Sequence, residues 1–405
     1  VITDLYAYCE QGATDSYSPS ERSTLAESLN KLRDAYYAEG DVEYAGRYLF
    51  SGYMTDTPLT YQSDETAAKA DFTITQEFTR ENIELKTVYT NAYSNDDILN
   101  LNVKTDAATG NVITPNVADV HRVRIGYTKV SDAGTFEIKL NDGTTIAAAA
   151  VNDSNYQPGD DEAAFNAATG EILLGENVYK QLYASDGFSF TYRKDNFAKG
   201  DLNPVMYYDC VDNNPDNAGV VYTKKTEDIE YNINFSQKLK VNTEANEVFN
   251  MYLGRDIDDL ITSVNNVIDI EAQLEKVEGM LKQDIYSDKD SQSKLNSIKE
   301  GLTKQNELAK EEMKNRFEYC VGTMQGYQEQ ASLAKADAGN RMTRLNLTKS
   351  RLTEQKTNFT NLKSENEDID LEEVVVGYSA AQLVYNASLT AASKVIPVSY
   401  THLTL

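Results

Sequence analysis

The sequence predicts an α+β protein, in which an elongated, discontinuous helical bundle formed by the N- and C-terminal parts flanks an inserted β-rich domain. Three observations lead to this class. A stretch from Ser287 to Asp368 lacks proline and repeats its apolar residues at helical spacing. Between Thr60 and Val248 the apolar residues alternate instead, and most of the prolines fall there. Helical spacing is also present before and after that block.

The long proline-free stretch predicts one helix of unusual length. At about 1.5 Å per residue it would extend on the order of 120 Å, which a single compact domain cannot cover. Its last part steps by seven, as in a coiled-coil seam. Such a helix needs partner helices from this chain and from other copies, so the expected function is assembly. The residues that define the pattern are Leu295, Ile298, Leu302, Met313, Phe317, Val321, Met324, Tyr327, Ala338, Met342, Leu345, Leu352, Phe359 and Leu362.

Three glycines leave a second interpretation open. Gly322, Gly326 and Gly339 would, on that interpretation, divide the stretch into three helices of an ordinary bundle. Glycine costs a helix only about 1 kcal/mol relative to alanine, which favours the continuous helix.

The N-terminal part predicts two helices and a short hairpin. Residues 1–12 have helical spacing that ends at Gly12. Ser18 and Glu21 then predict a capping box with Pro19 in the first helical turn. Aromatic and branched residues at 47–52 predict a short strand or hairpin after this helix. The apolar face of the second helix consists of Leu25, Leu29, Leu32 and Tyr36.

The middle of the chain predicts strands joined by tight turns. Asn141-Asp142-Gly143 is a hairpin signal, because these residue types accept the positive φ angles of such turns. The alternating segments are Val123, Ile125 and Tyr127; Phe136, Ile138 and Leu140; residues 170–175; residues 188–192; and Ile229, Tyr231, Ile233 and Phe235, followed by Leu239 and Val241.

Helical spacing returns at Asp256, and again after an acidic break that follows the long helix. In that break, Asp368 and Asp370 favour helix capping over a role as a catalytic carboxylate pair. The last helix, from Val374 to Ile396, carries small and apolar residues around much of its circumference. We therefore expect it to be buried on several sides.

Composition argues against catalysis and against several kinds of partner. The net charge of −26 repels phosphates, so neither nucleic acid nor an anionic membrane is expected as a partner. Two histidines are too few to suggest His-based catalysis or a zinc site. Cys9, Cys210 and Cys320 follow no metal or disulfide spacing and are expected to be core thiols. We predict no enzyme activity, no cofactor, and no catalytic or metal-binding residues.

One acidic turn offers oxygen atoms that could ligate calcium. Its spacing matches no calcium-binding loop and Pro215 interrupts it, which favours a solvated turn. The residues concerned are Asp209, Asp212, Asn213, Asn214, Asp216 and Asn217.

Short motifs at both ends resemble the flagellin superfamily. Glu10-Gln11-Gly12-Ala13, followed by Ser18-Pro19-Ser20-Glu21-Arg22, is similar to the junction between the first helices of that family. Gly46-Arg47-Tyr48-Leu49-Phe50-Ser51-Gly52 with Thr55-Asp56-Thr57-Pro58 is more similar to the hook-associated protein 3 group, the hook–filament junction proteins, than to filament flagellin. Residues 340–345, 364–370 and 380–396 resemble a shared stretch, the acidic break and the terminal helix of the family.

This resemblance implies a secreted structural subunit of the bacterial flagellum that joins hook to filament outside the cell. The implied partners are other copies of the chain, the hook-side hook-associated protein, flagellin and a flagellar export chaperone. The implied mechanism is helix packing in a helical assembly. The residues expected at the interface are Leu345, Leu352, Phe359, Leu362, Tyr378, Leu383, Leu389 and Ile396.

The resemblance also divides the chain. Residues 1–60 and 251–366 would form the rod domain, residues 61–250 the outer β-rich domain, and residues 367–396 the inner-tube helix. Residues 397–405 resemble a non-native tail, and the start at Val1 inside a helical pattern predicts a fragment without its native ends. Two alternatives remain: a filament flagellin, and a surface adhesin or binding module with a helical stalk and a β head.

Overall fold

A computed structural model describes residues 1–14, 18–217, 219–224, 228–235, 237–368 and 370–395. The chain has two compact units. The first comprises Val1–Glu230 and Lys240–Ala338, and the second Tyr231–Leu239 and Gly339–Leu405. The predicted α+β class, with helical ends around a β-rich middle, is confirmed. Ile396 and the tail at 397–405 lie outside the described residues.

The helices at the ends of the chain are close to those that the sequence predicts. Helix α1 spans Ile2–Gly12, and α2 spans Pro19–Ala38. The predicted capping box at Ser18 and Glu21 is present. Helix α7 spans Met251–Leu281 and packs against α2, where the Tyr37 hydroxyl donates to the Asn250 and Met251 carbonyls and accepts from the Gly254 N–H. These bonds fix the start of α7 on the end of α2.

In the sequence, the strands and the short helices come between α2 and α7. Strands β1 (Glu43–Tyr44) and β2 (Arg47–Tyr48) form the predicted hairpin, whose turn places Ala45 and Gly46 at positive φ. The other strands are β3 Phe72–Phe78, β4 Ile83–Thr90, β5 Asn116–Arg124, β6 Phe136–Leu140, β7 Thr145–Ala150, β8 Ala163–Asn166, β9 Glu171–Leu174, β10 Phe188–Lys194, β11 Asp209–Asp212, β12 Val221–Tyr222, β13 Glu230–Asn234 and β14 Gln237–Lys240. The short helices are α3 Asp64–Ala68, α4 Asn95–Leu99, α5 Glu176–Ala184 and α6 Ala245–Val248.

Among the described residues, strands β3 to β12 form a single sheet in the order β12-β11-β3-β10-β6-β7-β8-β9-β5-β4. Its pairs are antiparallel except β7 with β8, which are parallel. Buried residues alternate along β3 and β10, as expected for strands with one face on a core. Aromatic rings fill that core, with the Phe165 ring 4.6 Å from that of Phe136 and 4.8 Å from that of Phe190. Strands β13 and β14 form a separate two-stranded sheet.

The predicted hairpin at Asn141-Asp142-Gly143 is confirmed, and Gly143 has a φ of +90°. The predicted strand through Val123, Ile125 and Tyr127 is too long, because β5 ends at Arg124. The chain leaves the ladder at Gly126, whose N–H donates to the Gln76 side chain instead of a neighbouring strand. Ile125 and Tyr127 remain buried, so their alternation reflects a core position and not a longer strand.

The long helix is continuous. Helix α8 spans Lys289–Glu367, 79 residues, and the glycines do not interrupt it. A Cβ atom at Gly322, Gly326 or Gly339 would meet nothing within 4 Å, so packing does not require glycine at any of them. The interpretation as three separate helices is therefore wrong for the described chain.

The acidic break separates α8 from the last helix, α9, which spans Leu371–Val395. The Asp370 carboxylate accepts from the Glu372 N–H at 2.9 Å and from the Glu373 N–H at 3.4 Å. This is the N-cap role that the sequence predicts for Asp370. Asp368 instead ends α8, with its N–H donating to the Ser364 carbonyl at 2.8 Å.

Candidate assembly surface

The first part of the α8 apolar stripe is covered by the rest of the first unit. Leu295, Ile298, Leu302, Phe317 and Met324 are each buried almost completely. The side chains that cover them come from distant parts of the sequence: the Tyr93 ring lies against Gly301, and Phe317 lies against Gly12 of α1. Here helical spacing produces an ordinary core face.

The same spacing continues into the second unit, but there the apolar side chains are exposed. Leu345, Leu352, Phe359 and Leu362 are exposed by 46%, 42%, 69% and 57%. We call these four residues the exposed stripe. Complete burial of such a side chain stabilises by about 1.5 to 3 kcal/mol, so each half-exposed member leaves roughly 1 kcal/mol to be gained from a partner. The sequence reasoning selected all four as interface residues, and whether they bind a partner remains a prediction.

Helix α9 is exposed around its whole circumference within the described residues. Tyr378, Leu383 and Leu389 are exposed by 67%, 72% and 52%. The burial on several sides that the sequence predicts is therefore not observed among the described residues. An apolar helix surface that is exposed among the described residues has the composition of a surface that another chain buries.

A buried ion cluster joins the sheet to α7, and the sequence analysis did not find it. Arg122 and Arg124 on β5 are 2% and 4% exposed. Arg122 binds Glu171 of β9, Glu84 of β4 and Asp259 of α7, while Arg124 binds Glu84, Asp256 and Asp259. Lys86 of β4 completes the cluster at 2.6 Å from Glu171. The signal was the spacing of Arg122 and Arg124 by two, which places both on one face of the strand.

Three carboxylates of the ion cluster are stabilised in their charged form to different extents. Burial opposes ionisation of Glu171, but Lys86 and Arg122 hold the pKa of its carboxyl below the usual value. Burial likewise opposes ionisation of Asp259, and Arg122 and Arg124 hold its pKa well below the usual range. For Asp256 burial prevails and raises the pKa, although Arg124 and the Tyr327 hydroxyl both bind this carboxyl. The cluster therefore depends most on the two arginines.

The remaining candidate sites have structural roles. The three cysteines are free and buried, as predicted. The His121 ring stacks on Tyr179 with centroids 3.5 Å apart, and its burial lowers the pKa of the imidazole. Among the described residues, no three His, Cys, Asp or Glu side chains are grouped so that they could hold a metal ion.

The predicted solvated turn begins within β11, which contains Asp209 and Asp212, and continues toward β12; Asp212 is 4% exposed, so the prediction is wrong for this residue. Its side chains close the turn upon itself and tie it to the chain before β3. The Asp212 carboxylate accepts from the Asn214 N–H at 2.9 Å, and the Asn214 side chain accepts from the Asp216 N–H and donates to the Lys69 carbonyl. The Asn213 side chain donates to Asp71. These oxygens and amides are therefore occupied by hydrogen bonds within the turn and to the chain before β3.

A polar cavity of about 1060 Å³ lies between the sheet and the helices of the first unit. Charges of both signs line it, including Lys86, Lys194, Arg255, Asp258 and Asp269. The Lys194 ammonium group is held by the Thr128, Lys129 and Asn196 carbonyls, so it is already satisfied by the protein. The cavity is a gap between packed layers, with no excess of one charge.

The fold and the exposed stripe together define a class: an α+β chain whose C-terminal helices present apolar residues that are exposed among the described residues. No helix in the described part of the chain is both long and apolar enough to cross a membrane. No protein-family model matches the sequence, and no curated protein matches it.

The solved structures that are similar to this chain include the following three. FlgL of Xanthomonas campestris is 12% identical, with a TM-score of 0.30, and the match covers 90% of this chain and 88% of that one. The flagellar junction protein FlgL from Legionella pneumophila is 11% identical, with a TM-score of 0.24 and coverage of 85% and 87%. A structure of flagellar hook-associated protein 3 from the same organism is 10% identical, with a TM-score of 0.20 and coverage of 88% of each chain. With TM-scores this low, these similarities add no weight to a functional argument.

Proposed function

We propose that this chain is a structural subunit of the bacterial flagellum that joins the hook to the filament. The proposal rests on the residue motifs at the two ends, which resemble the hook-associated protein 3 group. The observation that carries it is the exposed stripe, because the spacing that makes a core face up to Met324 continues through Leu345, Leu352 and Phe359 without cover. A structural subunit needs such a surface, whereas a monomeric protein gains nothing from it.

The proposed mechanism is packing without chemistry. Helix α9, with Tyr378, Leu383 and Leu389, and the end of α8 would be buried between neighbouring subunits. Ile396, the remaining predicted interface residue, lies outside the described residues. Other copies of the chain, the hook-side hook-associated protein and flagellin would supply the covering surfaces, and an export chaperone would cover them before assembly. Secretion and an extracellular position belong to the same proposal.

The direct test is assembly in vitro. The chain is mixed with purified hooks and then with flagellin, and the products are imaged by electron microscopy. Addition to hook ends, followed by filament growth from them, is the expected result. Long filaments of this chain alone would identify a filament flagellin instead. Absence of assembly with either protein would favour the stalk-and-head binding module.

A pair of variants tests the exposed stripe itself. Leu352→Asp introduces a charge into the stripe and is expected to abolish addition to hook ends. Ser350→Asp introduces the same charge on the opposite side of α8, because two residues correspond to about 200° around a helix. It should assemble like the parent chain. Equal assembly of both variants would remove the stripe from the mechanism.

A further inference from the structure

Helix α1 packs against the middle of α8, and its contacts establish the register of the pair. Gly12 of α1 faces the Phe317 ring, which lies 2.1 Å from the position that a Cβ atom would occupy. Near the other end, the Gln325 amide of α8 donates to the Tyr6 hydroxyl at 3.3 Å. A lower number on α1 thus meets a higher number on α8, so the two helices run antiparallel.

This register brings two cysteines together between those contacts. Cys9 lies one turn before Gly12, and Cys320 lies one turn after Phe317, so they occupy facing positions. The neighbouring Cys9 side chain, together with burial, raises the pKa of the Cys320 thiol. Both are free thiols, and they are 0% and 1% exposed. The third thiol, Cys210, lies on β11 in the sheet.

We propose that Cys9 and Cys320 are a site of reversible disulfide formation that joins α1 covalently to α8. The oxidant is a small organic disulfide such as oxidised glutathione. One cysteine thiolate attacks a sulfur of the oxidant to give a mixed disulfide and one free thiol. The other cysteine thiolate then attacks the protein sulfur and releases the second thiol. Two protein thiols lose two electrons, the oxidant gains them, and the two protons are carried by the released thiols.

Because both cysteines are buried, disulfide formation depends on a prior opening of α1. A thiol with a raised pKa contains little of the reactive thiolate, and neither sulfur is open to solvent while α1 is docked. Exchange therefore requires that α1 first opens from α8. Once formed, the disulfide holds α1 on α8, since the two helices can no longer separate at Cys9 and Cys320. This inference does not depend on the flagellar role.

The test uses the folded chain with oxidised glutathione at a temperature that opens α1, followed by denaturation and thiol titration. The expected result is a fall from three free thiols to one, with a linked pair of peptides that contain Cys9 and Cys320. Hydrogen exchange in residues 2–12 should become about tenfold slower after oxidation, because opening of α1 is suppressed. Reduction should restore both the thiols and the original exchange rates.

Cys210→Ser is the matched control and should form the same linked peptides. Cys320→Ser should form none. Three free thiols after oxidation, glutathione retained as a mixed disulfide on Cys9 or Cys320, or a link to Cys210 would each overturn the proposal. Peptide mapping of the unsubstituted chain decides the matter even where a variant fails to fold.

Discussion

Replacing Arg122 by methionine tests whether the ion cluster holds the sheet on α7. Arg122 is 2% exposed and binds Glu171, Glu84 and Asp259. Removal of one partner from a buried ion pair costs about 3 to 5 kcal/mol, because the other charge stays buried without compensation. Lys86 still binds Glu171, and Arg124 still binds the other two carboxylates. We therefore expect a loss near the lower limit, about 3 kcal/mol of unfolding free energy.

The assay is urea unfolding, monitored by the near-ultraviolet circular dichroism of the tyrosines, which reports on their packing. Arg193→Met is the matched control, because Arg193 is half exposed and binds Asp71 at the surface. Exposed ion pairs contribute only about 0 to 1 kcal/mol, so this variant should resemble the parent chain. If both variants lost the same small amount of stability, the reasoning on the ion cluster would be refuted.

The effect of Arg122→Met should also depend on pH. In the parent chain Lys86 and Arg122 depress the pKa of Glu171, and Arg122 and Arg124 depress that of Asp259. These carboxylates therefore contribute stability above their unfolded pKa values, about 4, and lose it as pH falls through the lower folded values. Without Arg122, both carboxyl pKa values should rise relative to the parent chain because their burial is less compensated, so protonation as the pH falls should reduce the cost of burying them. Its deficit should be largest near pH 7. A deficit independent of pH would show that Arg122 acts through packing alone.

Two further predictions, each with a control variant, test local features of the long helices. Gly301→Ala should destabilise the chain by about 1 to 3 kcal/mol, because the new Cβ would meet the buried Tyr93 ring at 2.2 Å. Gly322→Ala is the control: its Cβ meets nothing within 4 Å, so it should stabilise the helix by up to about 1 kcal/mol. Thermal unfolding measures both, and a change of stability in the same direction for both variants would contradict this reasoning. Asp370→Ala should cost about 1 kcal/mol of local helix stability at the start of α9, seen as faster hydrogen exchange at residues 371–376, with Asp370→Asn as the neutral control. Unchanged hydrogen exchange in Asp370→Ala would show that the Asp370 cap does not stabilise the start of α9.

Much of the fold could be predicted because its signals are local. The capping box at Ser18, the glycine turn at Asn141-Asp142-Gly143 and the cap at Asp370 each depend on residues within one turn of the chain. Helix α8 is predicted for a similar reason, since proline is absent and glycine is only mildly unfavourable. Strand β5 was predicted too long because alternation continues to Tyr127, while a long-range bond from Gly126 to Gln76 ends the ladder.

The candidate assembly surface was predicted only in part. The sequence identified Leu345, Leu352 and Phe359 as one apolar face, because spacing alone places them together on a helix. Its seven-residue steps marked them as a seam for a partner helix, whereas Leu302 and Phe317 belong to the earlier part of the same stripe. Whether such a face is covered depends on elements far away in the chain, such as Tyr93 and α1.

By itself, therefore, the sequence determined the identity and limits of the main helices, most strands, and the motifs that resemble the flagellin superfamily. Tertiary structure alone decided three other features: the ion cluster of Arg122 and Arg124, the meeting of Cys9 with Cys320, and the point along α8 at which its apolar face becomes exposed. The physical reason is the distance along the sequence over which each interaction acts. Helix and turn propensities act within a few residues, whereas burial and charge compensation depend on which distant segments the fold brings into contact.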